Sequence, residues 1–232
     1  MTGRVVVPTQ SYADWQRLLA KPQLHWKTGY SAMTLARSWE AAQPSVPPEI
    51  RQALEGSGAP CLQGLELLLA IPEYQVALPG GQRASQTDVL ALVRNGGGLV
   101  AVAVEGKVDE PFGPTIGGQK ASASSGAGER LRFLADRLGL PGSTPETVRY
   151  QLLHRTVSAL IAAEQFHASA AVMLVHSFSP AGKWFDDFSA FAALFGVRAA
   201  VGEAMQVRVP GGTPLYIGWC KGDQRFREEA RI

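Results

Sequence analysis

Two apolar runs joined by Asn95-Gly96-Gly97-Gly98 constrain this chain more than any other stretch of its sequence. Asp88 opens the first run, V-L-A-L-V-R, and Leu99 to Val104 form the second, L-V-A-V-A-V, followed by Glu105, Gly106 and Lys107. Asn-Gly with further glycine between apolar runs predicts a β-hairpin, because these residues tolerate the backbone angles of a tight turn. A turn centred on Gly96 and Gly97 sets Asp88 directly opposite Glu105. Side chains two apart on a strand share a face, so Lys107 points the same way as Glu105. Facing residues on paired strands lie about 4.5–5.5 Å apart at Cβ, where like charges repel. Two carboxylates held there make sense with a cation between them. Register carries this inference, since a slip of one residue would put the acids on different faces. The unbroken apolar character of the second run implies burial on both faces, as in a central strand covered by helices.

Composition narrows the class without naming a function. A chain of 232 residues with 46% hydrophobic and 18% charged residues can bury a substantial core and is not globally disordered. The net charge of +2 announces no strong basic field, although a local basic groove would be enough to hold nucleic acid. Cys61 and Cys220 form no C-x-x-C and read as buried, reduced thiols. His25, His154, His167 and His176 are too scattered for a metal cluster, and His25-Trp26 and Trp219-Cys220 read as packing. The glycines at 96–98 are no phosphate loop, because no GK[ST] follows, and neither a G-x-S-x-G elbow nor a Rossmann glycine pattern occurs. No signal peptide is recognised and no run approaches about 18 apolar residues, so a cytoplasmic protein without a membrane span is expected.

Periodicity divides the chain into a helical N-terminal extension over 1–60, a core over 61–220 and a charged tail over 221–232. Helices are predicted for Tyr12–Lys21, Ser31–Ala42 and Glu49–Leu54, the last opened by Pro47-Pro48. Cys61–Ala70, with Glu66 as its one charge, reads as a helix packed before the first strand. Strands follow at Tyr74–Leu78, Asp88–Arg94 and Leu99–Lys107. Pro111–Gly128, rich in glycine and serine, reads as a mobile loop that orders over a ligand. Beyond it come helices at Glu129–Leu138, at Pro145–Phe166 with Ser143 or Thr144 as cap, and at Lys183–Phe195. Strands are expected at Ala168–Val175, Gln206–Val209 and Leu215–Trp219.

An acid on one strand followed by acid-any-lysine on the next, here Asp88 and then Glu105-Gly106-Lys107, resembles the PD-(D/E)XK nuclease superfamily. The resemblance spans roughly Cys61 to Val175. Thr87 stands where the superfamily usually has proline before the first acid. The resemblance implies a restriction-endonuclease-like α/β fold, an α-β-β-β-α-β core with a mixed sheet flanked by helices. It further implies Mg²⁺-dependent phosphodiester hydrolysis of nucleic acid, with DNA ahead of RNA and a second copy of the chain admissible as a partner. Asp88 and Glu105 would be metal ligands, together with the Gly106 carbonyl, since hard oxygen donors suit Mg²⁺ and also Mn²⁺. Lys107 would orient the attacking water and offset charge on the phosphate. Glu66 would add a metal or water ligand from its helix. Gln151 and Arg155, four apart on one helical face, would lie near the metal and the substrate phosphate. Lys120 in the loop could reach a phosphate.

Each of these residues also has an ordinary structural explanation. Asp88, Glu105 and Lys107 can form a salt-bridged trio at a sheet end. Glu66, Gln151 and Arg155 can belong to solvated faces, and Lys120 can be surface decoration. Two other classes therefore stay open: a non-catalytic module on the same fold that binds nucleic acid or protein, and an unrelated α/β protein with a chance charge trio.

Overall fold

The computed structural model describes residues 8–121, 126–140 and 144–228. Ser122 to Ser125, the Pro141-Gly142 break, Ser143 and the last four residues of the tail lie outside the described residues. In chain order the elements are α1 (Pro22–His25), α2 (Ser31–Ala42), α3 (Pro48–Gly56), β1 (Glu66–Val76), β2 (Ser85–Asn95) and β3 (Gly98–Lys107). They continue with α4 (Ile116–Ala121), α5 (Ala127–Leu138), α6 (Tyr150–Gln165), β4 (Ala170–Ser177), α7 (Phe185–Ala193), β5 (Glu203–Val207) and β6 (Leu215–Lys221). The strands form one six-stranded mixed sheet in the order β1-β2-β3-β4-β6-β5.

The hairpin sets the register of the sheet. Asn95 pairs with Gly98, Arg94 with Leu99 and Val89 with Val104, so the turn is centred on Gly96 and Gly97 as their sequence implies. Asn95 also accepts the Gly97 amide on its Oδ1 at 2.8 Å, an Asx contact that closes the turn. On its other edge β3 runs parallel to β4, from Val100 opposite Ala170 to Lys107 opposite Ser177. Parallel pairing needs a long crossover, and α4 to α6 supply it.

Both faces of β3 are buried. Ala101 and Ala103 face a core containing Leu134, Leu153, Phe188 and Phe191 from α5, α6 and α7 together with Trp219 of β6. Val100, Val102 and Val104 face a second core containing Trp15, Leu35, Trp39, Ile50 and Leu54 from the N-terminal segments. Helices thus flank the sheet on both sides, and residues 105–107 bring the odd-numbered side chains toward α6.

Several predicted elements are corrected. Cys61–Ala70 is not a helix: a 3₁₀ turn covers Pro60–Leu62, and β1 starts at Glu66, eight residues before the predicted strand. Leucine, alanine and glutamate favour helix locally. Gly64 at φ +56 interrupts one, and pairing with β2 then settles the segment as an edge strand that tolerates Pro72. A register shift between Leu67 and Leu69 breaks the alternation that would have marked the strand. Tyr12–Leu18 is 3₁₀ rather than α-helical. Residues 116–121 of the expected loop form α4, held by amides of Ile116 and Gly117 donating to Val148 and Glu146 carbonyls at 2.8 and 2.9 Å. The helix expected from Pro145 starts at Tyr150, after an antiparallel bridge between Thr115 and Arg149. The described part of the charged tail, residues 221–228, is docked: Phe226 packs on the second core, and the Glu228 carbonyl accepts from Arg37 at 2.8 Å. Cys220 is buried as expected, but Cys61 is only partly so.

Because α6 presses its apolar face onto β3 and β4, truncating that face should loosen the whole sheet. Leu153→Ala should cost about 2–5 kcal/mol in urea unfolding. A loss below about 1 kcal/mol would show that α6 is not a principal support of the core.

Candidate active site

Glu105 and Lys107 lie at the carboxyl end of β3, where the strand leaves the core, at 3% and 5% exposure. Lys107 Nζ donates to Glu105 Oε1 at 2.7 Å and to Gln151 Oε1 at 3.3 Å, and lies 4.9 Å from the centre of the Phe112 ring. Gln151 Nε2 donates to the same Glu105 oxygen at 2.6 Å. Arg155, 9% exposed, donates from Nε to Glu105 Oε2 at 2.5 Å. Gln151 and Arg155, one turn apart on α6, therefore reach one carboxylate from above while Lys107 reaches it from within the strand.

Asp88 sits across from this network, just beyond the last ladder pair of the hairpin, and its Oδ2 accepts the Gly106 amide at 2.8 Å. Gly106 faces away from α6. A Cβ placed there would come within 3.1 Å of Leu35 and 3.4 Å of Asp88 Oδ2, so a glycine fits both neighbours. Further down, Ser85 Oγ accepts from Arg155 at 3.1 Å and lies 2.9 Å from His154 Nδ1. Burial, then the Arg155 charge, holds His154 well below its ordinary pKa, so the imidazole is neutral. Ser85 can then accept from Arg155 and direct its own O–H at Nδ1.

A third acid completes the cleft. Glu73 lies in β1 between Pro72, opposite Val89, and Tyr74, opposite Thr87, which sets it beside Asp88. Its φ of +56 is left-handed, a conformation that non-glycine residues seldom adopt within a strand. The predicted first strand begins one residue too late to include it. Extending that strand backward by a single position is the signal that would have placed an acid opposite Asp88.

Charge does not balance among these groups. At the floor of the cleft three carboxylates, Glu73, Asp88 and Glu105, lie with two cations, Lys107 and Arg155, while Glu110 and Lys21 line its outer walls. Burial works against ionised Glu105, but Arg155 and then Lys107 outweigh it and hold its pKa at about 2. Burial and the Glu105 charge push Asp88 up to about 7. Burial and the Asp88 charge push Glu73 up to about 9. The cations are spent on Glu105, so Glu73 keeps its proton at neutral pH and Asp88 gives up its proton only around pH 7.

These residues line a cleft of about 570 Å³, closed on one side by residues 19–32 and on the other by residues 110–114 and α6. The sequence-predicted residues Asp88, Glu105, Lys107, Gln151 and Arg155 meet here, and Gly106 joins them through its amide on Asp88 rather than through the carbonyl expected as a ligand. Glu66 does not. It is exposed at the opposite end of β1, paired with Arg94 at 3.1 Å, and it stands on a strand rather than a helix. Lys120 does not meet them either, since α4 turns it to Glu146 at 2.9 Å on the surface. His154 and Ser85, which no sequence motif marks, belong to the site.

The donor set is one of hard oxygens, and its deficit of positive charge suits a small cation or protons equally well. Among the described residues no three acidic, histidine or cysteine side chains already converge as a preformed metal cage. Mg²⁺ keeps several waters and usually takes only one or two protein carboxylates.

The fold and site together define a mixed α/β protein with a buried acid–lysine–arginine cleft at the carboxyl end of a central strand. The chain belongs to the family described as a domain of unknown function, DUF6946, which matches residues 8–224. No curated protein and no solved structure matches it. Among the described residues no helix is long and apolar enough to cross a membrane.

The raised acids set a pH dependence. A carboxyl whose folded pKa lies above its unfolded value binds more protons when folded, so stability falls as pH rises through that window. Between pH 7 and 9 Glu105 is ionised in both states, while Asp88 and Glu73 lose protons that the unfolded chain has already lost. The metal-free protein should therefore melt at a lower temperature at pH 9 than at pH 7, and Glu73→Gln should shrink that difference. An unchanged difference in the variant would show that Glu73 is not part of the coupled group.

Proposed function

We propose that this protein is a Mg²⁺-dependent phosphodiesterase acting on nucleic acid, DNA ahead of RNA, and built on a restriction-endonuclease-like core. The observation that carries this reading is the convergence of Asp88, Glu105 and Lys107 at one strand end, with an unbalanced acid beside them. The element order supports it, with helices before three antiparallel strands, then α6, then β4 parallel to β3.

Mg²⁺, or Mn²⁺ in its place, would supply Lewis acidity and lower the pKa of a bound water. Asp88 and Glu105 would hold it, with Glu73 as a third acid at hand. Lys107 would then leave Glu105 Oε1 to orient the attacking water and offset charge growing on the phosphate oxygens. Gln151 would keep Glu105 oriented throughout, and Arg155 would keep it ionised. Glu66 and Lys120 have no part in this scheme.

A second reading rests on a specific observation. Three side chains already donate to the Glu105 carboxylate, which is the pattern of a sealed structural ion network in a non-catalytic binding module. Plasmid and single-stranded DNA incubated with Mg²⁺, Mn²⁺ or EDTA separate the two readings. Lys107→Ala should retain metal binding, read by calorimetry, yet lose about 10²–10³ in cleavage rate. Asp88→Ala should lose both. Wild-type protein that binds nucleic acid and cuts none with either metal would support the binding module. Cleavage surviving both substitutions together would refute the assignment.

A further inference from the structure

The segment that closes one side of the cleft carries a surface that the chemistry at its floor does not use. Of the large apolar side chains exposed among the described residues, Tyr12, Leu18, Leu24 and Tyr30 all fall within nineteen consecutive positions of this lip. Leu24 is 51% exposed and Tyr30 40%. Such a concentration within one short segment marks an interaction site rather than scattered surface residues. The lip is also basic. Between Tyr12 and Arg37 it holds four cations, Arg17, Lys21, Lys27 and Arg37, against one acid, Asp14, whereas the whole chain carries only +2. Lys21 and Lys27 are exposed and have no acid within ion-pair distance among the described residues.

Cations and rings are interleaved here. Lys27 Nζ lies 5.5 Å from the centre of the Tyr30 ring, and the Arg37 guanidinium 5.1 Å from that of Tyr12. Tyr12 and Trp26 stack with centroids 6.3 Å apart and planes 22° from parallel. The surface is continuous with the cleft. Lys21, His25 and Ser31 line its mouth, and the Ser31 amide donates to Glu110 on the opposite wall at 2.8 Å. Gln86, a wall residue, donates to the Leu18 carbonyl at 3.4 Å.

We infer that the lip is a stacking platform for single-stranded nucleic acid, which it feeds to the floor of the cleft. The substrate class is then an unpaired strand rather than an intact duplex. Flat apolar rings accept bases of any sequence, and unpaired cations between them accept phosphates. A duplex hides its bases and would face the recess with its backbone alone. The recess holds about 570 Å³, a volume suited to a small ligand or a few atoms of one strand, and Glu105 and Lys107 lie at its bottom. The choice of substrate class rests on the phosphodiesterase reading, but the binding surface does not.

Fluorescence anisotropy with a labelled twelve-residue oligothymidylate in EDTA, where no metal-dependent turnover occurs, reads binding alone. The single strand should bind at least about tenfold more tightly than a blunt duplex of the same length. Tyr30→Ala should weaken it about fivefold or more, while Tyr30→Phe, which keeps a ring, should stay within about twofold. Lys27→Ala should flatten the slope of log affinity against log salt by about 0.7. Duplex bound as tightly as the single strand, or a Tyr30→Ala variant that is folded by circular dichroism and binds as wild type, would overturn the inference. So would capture of anionic vesicles through Leu24 without any oligonucleotide binding. Adding Mg²⁺ then separates the two claims. A strand bound through Tyr30 but never cut refutes hydrolysis and leaves the platform standing. Duplex cleavage indifferent to Tyr30 refutes the platform and leaves hydrolysis standing.

Discussion

The ionised carboxylate of Glu105, buried at the end of β3, is the constraint on which the rest of the cleft depends. A lone buried carboxylate would take up a proton or pull the strand end into solvent. Arg155 and Lys107 prevent both, and each has a further consequence. Holding Arg155 in place fixes the rotation of α6 over the sheet, which brings Gln151, one turn earlier, to the other oxygen of the same carboxylate. Holding Lys107 in place sets the direction in which β3 leaves the core, with the Phe112 ring beneath the ammonium group. Removing one partner from such a buried pair typically costs about 3–5 kcal/mol, so the geometry is firmly held.

Satisfying Glu105 leaves its neighbours short of positive charge. Asp88 and Glu73 are drawn close by strand pairing, which is set by distant apolar contacts and is indifferent to their charge. Their pKa values rise because the available cations are engaged elsewhere. Glu73 adds a backbone cost, since its left-handed conformation is paid by the surrounding β1–β2 ladder. Strain and unbalanced acid at one place are seldom retained for stability alone.

The sequence made the centre of this structure legible and its margins much less so. The Asn95-Gly96-Gly97-Gly98 turn and two apolar runs determine a register, and register carries Asp88, Glu105 and Lys107 to one cleft without knowledge of the remaining fold. Helical spacing puts Gln151 and Arg155 on one face, and the resemblance to the nuclease superfamily turns that face toward the site. Glu73 escaped because β1 combines helix-favouring leucines, a bulge and a proline, which together erase the alternation of an edge strand. The same failure put Glu66 on a helix, seven residues and most of a strand length from the acid that does reach the site. His154 and Ser85 could not be seen, because their pairing depends on where α6 crosses β2 and no local pattern records a crossing. The lip is a similar case: His25-Trp26 reads as packing, and only the fold shows that Tyr12 and Tyr30 beside it stay exposed.

A sealed ion network and a resting catalytic site differ less in geometry than in what surrounds them. If Glu105, Lys107, Gln151 and Arg155 served only to close the sheet end, their donors and acceptors would already be matched, and nothing would call for further acids. Hydrophobic residues at Asp88 and Glu73 would pack the same space with no desolvation penalty. Two acids sit there instead, one on a strained backbone, facing a cleft that opens beside a basic segment of the chain. Lys107 in such an arrangement offsets part of the charge that a divalent cation would otherwise neutralise. Under the proposed function, a cation bound by these acids would free the ammonium group for the substrate, and the charge imbalance would then favour assembly of the site.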